Sequence, residues 1–295
     1  MSLDVQHRQN KTSLTGIYQR SPAIWATCPL SWIKKFYPEG HVRWDASKMS
    51  LKGTQTAQIA GPIGGTKVFG GAGGSVDAVS AVNSVEKWGG AIRFLPAADN
   101  DAAALAQAYP TFRLSGLPAS SNRLWFEGCV AINSLLTNTL GFFMGLAETE
   151  QWTLAAGVPF NAGDAITNSA SAIGFRKGED ALGVVDTVVS DRAISFTNIG
   201  ASEGSISAAY TFAKFGFMYD PGPGNDYNSS AIIRFFQDNL ELTTKVSKTT
   251  LTGYTNLDAN ALGPIFATIA DSGGAATECY LKWLEVAQLP PGINP

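Results

Sequence analysis

The sequence predicts an all-β protein, a β-sandwich preceded by an extended N-terminal arm, on three observations. Short runs of alternating apolar and polar residues fill the chain from about residue 122 onward. Glycine, asparagine and aspartate punctuate those runs at strand-length intervals, the rhythm of a sandwich made of many short strands. No strand–helix alternation appears, which argues against a parallel α/β sheet. Composition fits a sheet protein that buries much of its surface, partly against partners. Of the 295 residues 45% are hydrophobic and 15% charged, whereas an average soluble domain carries about 25% charged residues.

The elements follow in chain order. Residues 1–40 keep no steady period of 2 or 3.6, and their apolar residues are interrupted by Pro22, Pro29 and Pro38. This segment reads as an extended arm whose aromatic residues need another surface to cover them, with a sandwich domain over 41–295. In "HVRWDASKM" Val42, Trp44 and Ala46 alternate with His41, Arg43 and Asp45, the mark of a half-buried strand. Residues 60–79 hold seven glycines and read as Gly-rich loops around a short strand "TKVF". "DNDAAALAQAYP" (99–110) reads as a helix, acidic at its start and followed by proline. In "NRLWFEGCVAI" Leu124, Phe126, Val130 and Ile132 share a face, and in "LGFFMGLA" Leu140, Phe142, Met144 and Leu146 do. "AISFTNI" (193–199) and "AYTFAKFGFMYD" (209–220) follow, the latter with Phe215, Phe217 and Tyr219 on one face. "AIIRFFQDNLELTTKV" (231–246) reads as a hairpin turning at Asp238-Asn239, residues that tolerate positive φ. "PIFATI" (264–269) and "CYLKWLEVAQL" (279–289) close the series.

Charge is unevenly placed. Residues 1–52 carry a net +5 and the remainder a net −8. A basic leading segment on an acidic body suits docking on an acidic protein surface or on nucleic acid; the whole-chain net of −3 implies no polyanionic target. Cys28, Cys129 and Cys279 are odd in number and widely spaced, which suits buried thiols in a protein made in a reducing cytoplasm. No apolar run approaches the roughly 18 residues of a membrane span, and the first residues lack the apolar stretch of a secretory leader.

Few residues invite chemistry. Glu148 and Glu150 in "ETEQW" are the nearest approach to a glycosidase carboxylate pair, but Thr149 separates them and no third acid follows. Glu285 is a lone acid expected to face solvent or to pair with a base. His7 and His41 lie outside the main run of strands, so no triad or histidine metal site is expected. Asp220, Asn225, Asp226 and Asn228 form an oxygen-rich loop that could hold Ca²⁺, yet such residues also simply make good loops. "GPIGGTKVFGGAGGS" lacks the Gly-Lys-Ser/Thr of a phosphate loop and the third glycine of the dinucleotide fingerprint. No cofactor or metal is therefore expected.

Over residues 122–289 the order "GFRKGEDALGVV", "KFGFMYD", "IRFFQDNLEL", "GPIFATI" and "YLKWLEVAQL" resembles the concanavalin-like (lectin/laminin-G type) jelly-roll β-sandwich. The resemblance is to structural proteins of tailed-phage virions, of the capsid decoration (cement) type. The turn Asp238-Asn239-Leu240 lacks that pattern's usual glycine, and the loop 220–231 is this chain's own. The resemblance implies a non-enzymatic homo-oligomer, dimer or trimer, made in the host cytoplasm and placed on the virion surface. It would hold the major capsid protein through the arm residues Tyr18, Trp25, Trp32, Lys34, Lys35, Phe36 and Tyr37, without a membrane and without nucleic acid. The alternative is a carbohydrate-binding module of a phage tail or adhesion protein, stacking sugars on Trp125, Phe143 or Tyr227. An endoglycosidase using Glu148 and Glu150 is the third reading.

Overall fold

A computed structural model describes residues 19–46, 58–59, 66–70, 75–79, 90–96, 102–114, 123–135, 140–148, 171–178, 182–191, 194–221, 231–254, 257, 260–270 and 277–290. Two antiparallel sheets pack face to face. The first runs β14 (Leu240–Ser247), β13 (Ala231–Gln237), β12 (Ala213–Tyr219), β7 (Leu124–Ile132), β16 (Cys279–Gln288), β5 (Ala91–Leu95), β4 (Ser75–Val79). The second runs β11 (Ile194–Ser205), β10 (Val184–Asp191), β9 (Ala172–Lys177), β8 (Leu140–Ala147), β15 (Gly263–Ala270), β6 (Ala102–Gln107), β3 (Thr66–Gly70), β2 (Gln58–Ile59). β1 (His41–Asp45) joins the first sheet beside β16, on the edge that β5 takes further along. Its partners are Trp283–Ala287, while β5 pairs with Cys279–Leu281. The register of β16 against β7 slips between Leu281 and Trp283, a bulge at Lys282. The extra residue keeps Leu281 and Leu284 in the core while Trp283 and Glu285 point out.

The alternation seen in the sequence builds the core. Leu124, Phe126, Val130 and Ile132 meet Leu140, Phe142, Met144 and Leu146 across the two sheets. Aromatic rings bridge them, Phe175 contacting Phe215 at 5.3 Å and Phe235 at 5.6 Å and Phe94 contacting Phe266 at 4.6 Å, while within the first sheet Phe126 stacks on Phe217 at 4.9 Å. The 231–246 hairpin forms as read, with Gln237 opposite Leu240 and both Asp238 (φ 46°) and Asn239 (φ 75°) in the left-handed region. On the edge strand β14 the Thr244 N–H donates to Glu203 of β11, and beside it the Gln237 amide of β13 bonds both the N–H and the C=O of Ser205.

Three expectations change. The helix read over 99–110 is a strand, β6, paired with both β15 and β3. Its alanines carry high helix propensity, but Ala103 and Leu105 face the core while Ala104 and Ala106 are buried on the other side, so the strand is covered on both faces. In the Gly-rich stretch "SVDAV" forms β4 beside the expected "TKVF" strand, because β5 offers it a ladder. Residues 19–40, read as part of an extended arm, are folded: α1 (Pro22–Trp25), α2 (Leu30–Phe36) and a 3₁₀ turn (Pro38–Gly40) lie on the first sheet. Residues 1–18, Tyr18 among them, lie outside the described residues. Among the described residues no helix is long and apolar enough to cross a membrane.

Candidate functional site: the cap over β7 and β16

The prolines that looked like interruptions start the turns of this cap. Pro22 opens α1, Pro29 precedes α2 and accepts the Trp32 and Ile33 N–H groups, and Pro38 opens the 3₁₀ turn. At a helix start the missing N–H costs nothing and the fixed φ suits the first turn. Two glycines let the cap lie close. A Cβ on Gly216 would come within 2.5 Å of Ile24 Cδ1, and one on Gly40 within 2.6 Å of the Gln288 carbonyl. Under the cap, Ile24, Trp25 and Ile33 pack against Trp125, Met218, Phe236, Ala287 and Leu289.

Beneath this apolar layer two carboxylates stand side by side, Glu127 on β7 directly opposite Glu285 on β16. Glu285 is fully buried. Its oxygens accept a bidentate pair from Arg20 (2.5 and 2.7 Å), a third bond from Arg43 (2.7 Å) and a contact with His41 Nε2 (2.8 Å), with Lys34 Nζ at 3.7 Å. Burial alone would push its carboxyl up; hydrogen bonds from His41 and Arg20 and the charges of Arg20 and Arg43 outweigh this and hold it far below the ordinary carboxylate range. Glu127 is also buried, but its partners are neutral donors. It accepts from the Ser21 backbone N–H (2.9 Å) and from the Trp25 indole (2.8 Å). Here burial wins and raises its pKa, with Ser21, Lys214 and Trp25 offsetting only part. Glu127 Oε1 and the Ser21 hydroxyl are buried without a well-formed hydrogen bond. The Arg20 and Arg43 guanidiniums lie over the rings of Trp25 (5.5 Å) and Trp283 (5.6 Å).

The structure separates the residues expected on the arm. Trp25 is an anchor turned inward, Trp32 and Tyr37 are half-buried, and Lys34 reaches Glu285. Lys35 and Phe36 remain exposed, Phe36 at 60%. With Trp32 (5.6 Å from Phe36) and Lys35 Nζ (5.0 Å from the Phe36 ring) they form an aromatic, basic ridge on the outer side of α2. Burial, then the nearby Glu39 carboxylate, raises the Tyr37 hydroxyl.

Of the polar core of this site, sequence alone points to Glu285, and of its two expected settings the structure shows the pairing with bases, Arg20 and Arg43, under full burial. Arg20, Ser21 and Glu127 are not singled out there. The signal was present. The outward positions of "LWFEGCVAI" are Trp125, Glu127, Cys129 and Ala131, too apolar for a face meeting water, so a cover is required. Elsewhere, Glu148 is buried and accepts from Asn260 (2.8 Å), while Glu150 lies outside the described residues. Asp220 pairs with Arg123 (2.9 Å), whereas Asn225, Asp226 and Asn228 of the oxygen-rich loop lie outside the described residues. Trp125 and Phe143 are fully buried and Tyr227 is outside the described residues, so neither described ring offers a free face to a sugar. Among the described residues no three His, Cys, Asp or Glu side chains gather as a metal site.

No family model matches the chain, and no curated protein matches it. Solved structures do. A protein of unknown function from Shewanella oneidensis MR-1 aligns at 11% identity over 86% of this chain and 89% of its own, with a TM-score of 0.49. The potassium-bound carbohydrate recognition domain of Emp46p aligns at 9% identity over 72% of this chain and 87% of its own, TM-score 0.44. A carbohydrate esterase of Shiga toxin-encoding bacteriophage phi24B aligns at 13% identity over 79% of this chain and 97% of its own, TM-score 0.42. At such identities none of these likenesses assigns an activity or a ligand to this chain.

Proposed function

We propose that this chain is a non-enzymatic structural protein of a tailed-phage virion, a capsid decoration protein that holds the major capsid protein through its capped face. The observation that carries the reading is the ridge on α2: Trp32 and Phe36 beside Lys35, with Phe36 60% exposed on a helix whose inner side is anchored. Aromatic and basic side chains held on a rigid support are what a docking surface uses, since little ordering entropy remains to be lost on binding. The positive charge on the inner side is meanwhile paired within the molecule, with Glu285. A partner with an acidic, partly apolar patch fits this ridge, and copies arranged as dimers or trimers on a capsid surface would each present one.

Occupancy on purified particles tests the reading. Phe36→Ser with Lys35→Glu is expected to abolish particle binding while leaving the unfolding midpoint unchanged, because both side chains are exposed. Undiminished occupancy would remove the capsid role. A glycan bound by the full chain, unaffected by the two ridge substitutions, would instead support the carbohydrate-binding reading.

A further inference from the structure

Away from the cap, beside the start of β16, one aromatic ring is held in a conformation that its own sterics disfavour. Tyr210 has φ 59°, the left-handed region that a bulky side chain avoids, and it is 36% exposed. Its surroundings fix it there: its N–H donates to the Ile132 carbonyl at 2.7 Å, and Phe212, two residues on, is buried in one cluster with Ala131 and Tyr280. Glycine would take this backbone without strain, so the strain points to a use for the ring.

Polar groups stand beside it. Tyr280, 6.0 Å from Tyr210 between ring centres, donates its hydroxyl to Glu278 Oε2. Arg93, opposite Tyr280 on β5, reaches Glu278 Oε1 at 3.4 Å. Glu278 is itself positioned by Asn133, whose Oδ1 accepts the Glu278 N–H (2.8 Å) and whose N–H donates to the Glu278 carbonyl (3.0 Å). Burial first, then the Glu278 bond and charge and the neighbouring Tyr210, raise the Tyr280 hydroxyl, with Arg93 offsetting part, so it stays protonated as a donor. Arg93 and Glu278 keep 32% and 19% of their side chains exposed, and their charges cancel.

What such a patch can hold follows from its parts. The ring face takes C–H groups. A carboxylate has about four acceptor sites and a guanidinium presents a fork of donors, so one ligand hydroxyl can donate to the acid while its neighbour accepts from the base. A neutral pair gives no advantage to a charged ligand. We propose that Tyr210, Arg93 and Glu278 form a subsite for a neutral saccharide, one sugar face stacked on Tyr210 and adjacent hydroxyls on Glu278 and Arg93. The ring and the acid are already fixed by Ile132 and Asn133, so little ordering entropy opposes binding. Neither the cap nor the α2 ridge takes part. Particle occupancy reads the ridge and saccharide binding reads this end, so a decoration protein can carry both surfaces and either can fail alone.

Saturation-transfer NMR on the full chain tests this. The probes are neutral gluco-, galacto- and manno-oligosaccharides at up to about 10 mM, where even a millimolar complex is populated. At least one probe is expected to bind, with transfer strongest to the C–H groups of one sugar face and unchanged by added salt, since the ligand is uncharged. Tyr210→Gly takes the left-handed backbone freely, so it is expected to keep the fold by circular dichroism while weakening binding at least about tenfold. Tyr210→Phe keeps the ring face and should retain binding, whereas Glu278→Gln removes the charged acceptor and should weaken it. Failure of every neutral probe to bind, or binding that Tyr210→Gly or Glu278→Gln leaves intact, overturns the proposal.

Discussion

The two faces of β7 and β16 are stabilised by different physics. Inward, Phe126, Val130, Leu281 and Leu284 belong to the apolar cluster that fills the space between the sheets. Outward, Trp125 and Trp283 frame two buried carboxylates, and the cover is a short segment held by donors aimed at them. The inner face gains its stability from area, which is indifferent to which hydrophobe supplies it within limits of volume. The outer face relies on matched donors and acceptors, which discriminate strongly between a correct and an incorrect occupant. A core built the first way holds the sandwich together; a cover built the second way can come off without dissolving it.

The sharpest attempt to break that contrast is Phe217→Ala. The ring lies 4.9 Å from Phe126 and 6.0 Å from Phe235, fully buried, so its loss leaves a cavity in the inter-sheet layer. A loss of about 3–5 kcal/mol is expected in urea unfolding, and sheets and cap should unfold in one transition. A cost below about 1 kcal/mol would mean that the inner layer is not close-packed.

Glu285→Gln strikes the other face. It leaves Arg20 and Arg43 with no counter-charge on β16, and since their side chains keep 32% and 22% exposure the cost is discounted to about 2–3 kcal/mol. The contrast predicts where that cost appears. Limited proteolysis should cut within residues 19–40 well before the strands, whereas Phe217→Ala should expose both together. Simultaneous cutting in the Glu285 variant would show cap and sheets to be one cooperative unit.

The sequence reveals the inner face more readily than the outer one, and the reason is local. A two-residue period states which residues of "KFGFMYD" or "LGFFMGLA" share a face, so Phe215, Phe217, Phe142 and Met144 could be placed without knowing the partner sheet. The cap has no period, because its helices are single turns or two. Its anchors, Arg20 and Trp25, find partners more than 100 positions away, Glu285 and Glu127, that no spacing rule connects. β6 misled for a related reason: an alanine run favours a helix until neighbours on both sides offer a ladder, and only the finished sheet supplies them. Read as interruptions, the three prolines hid helix starts, since the same fixed φ serves either purpose.

The smallest expected effect tells the most about the outer face. Glu127 and Glu285 are neighbours across one strand pair, yet their environments push their pKa values in opposite directions. For Glu285 the folded pKa is depressed, so the stability it contributes is fully present above the ordinary carboxylate range and is lost progressively as pH falls from that range through its folded value. For Glu127 the folded pKa is raised, so its contribution is greatest below the ordinary carboxylate range and declines as pH rises through that range toward the folded value. Glu127→Gln keeps an acceptor for the Ser21 N–H and the Trp25 indole, gains an amide that can donate to the buried Ser21 hydroxyl, and cannot ionise. Its stability should therefore differ from that of the parent by less than about 1 kcal/mol. That difference should move in favour of the variant as pH is raised from about 4 to about 8, in urea titrations at matched ionic strength. For Glu285→Gln the deficit should instead shrink as pH is lowered toward the folded value of that carboxyl. Parallel slopes for the two variants would mean that the carboxylates act as one shared charge, and that the cap is held by the net charge of the pair rather than by a cationic clamp on one acid and neutral donors on the other.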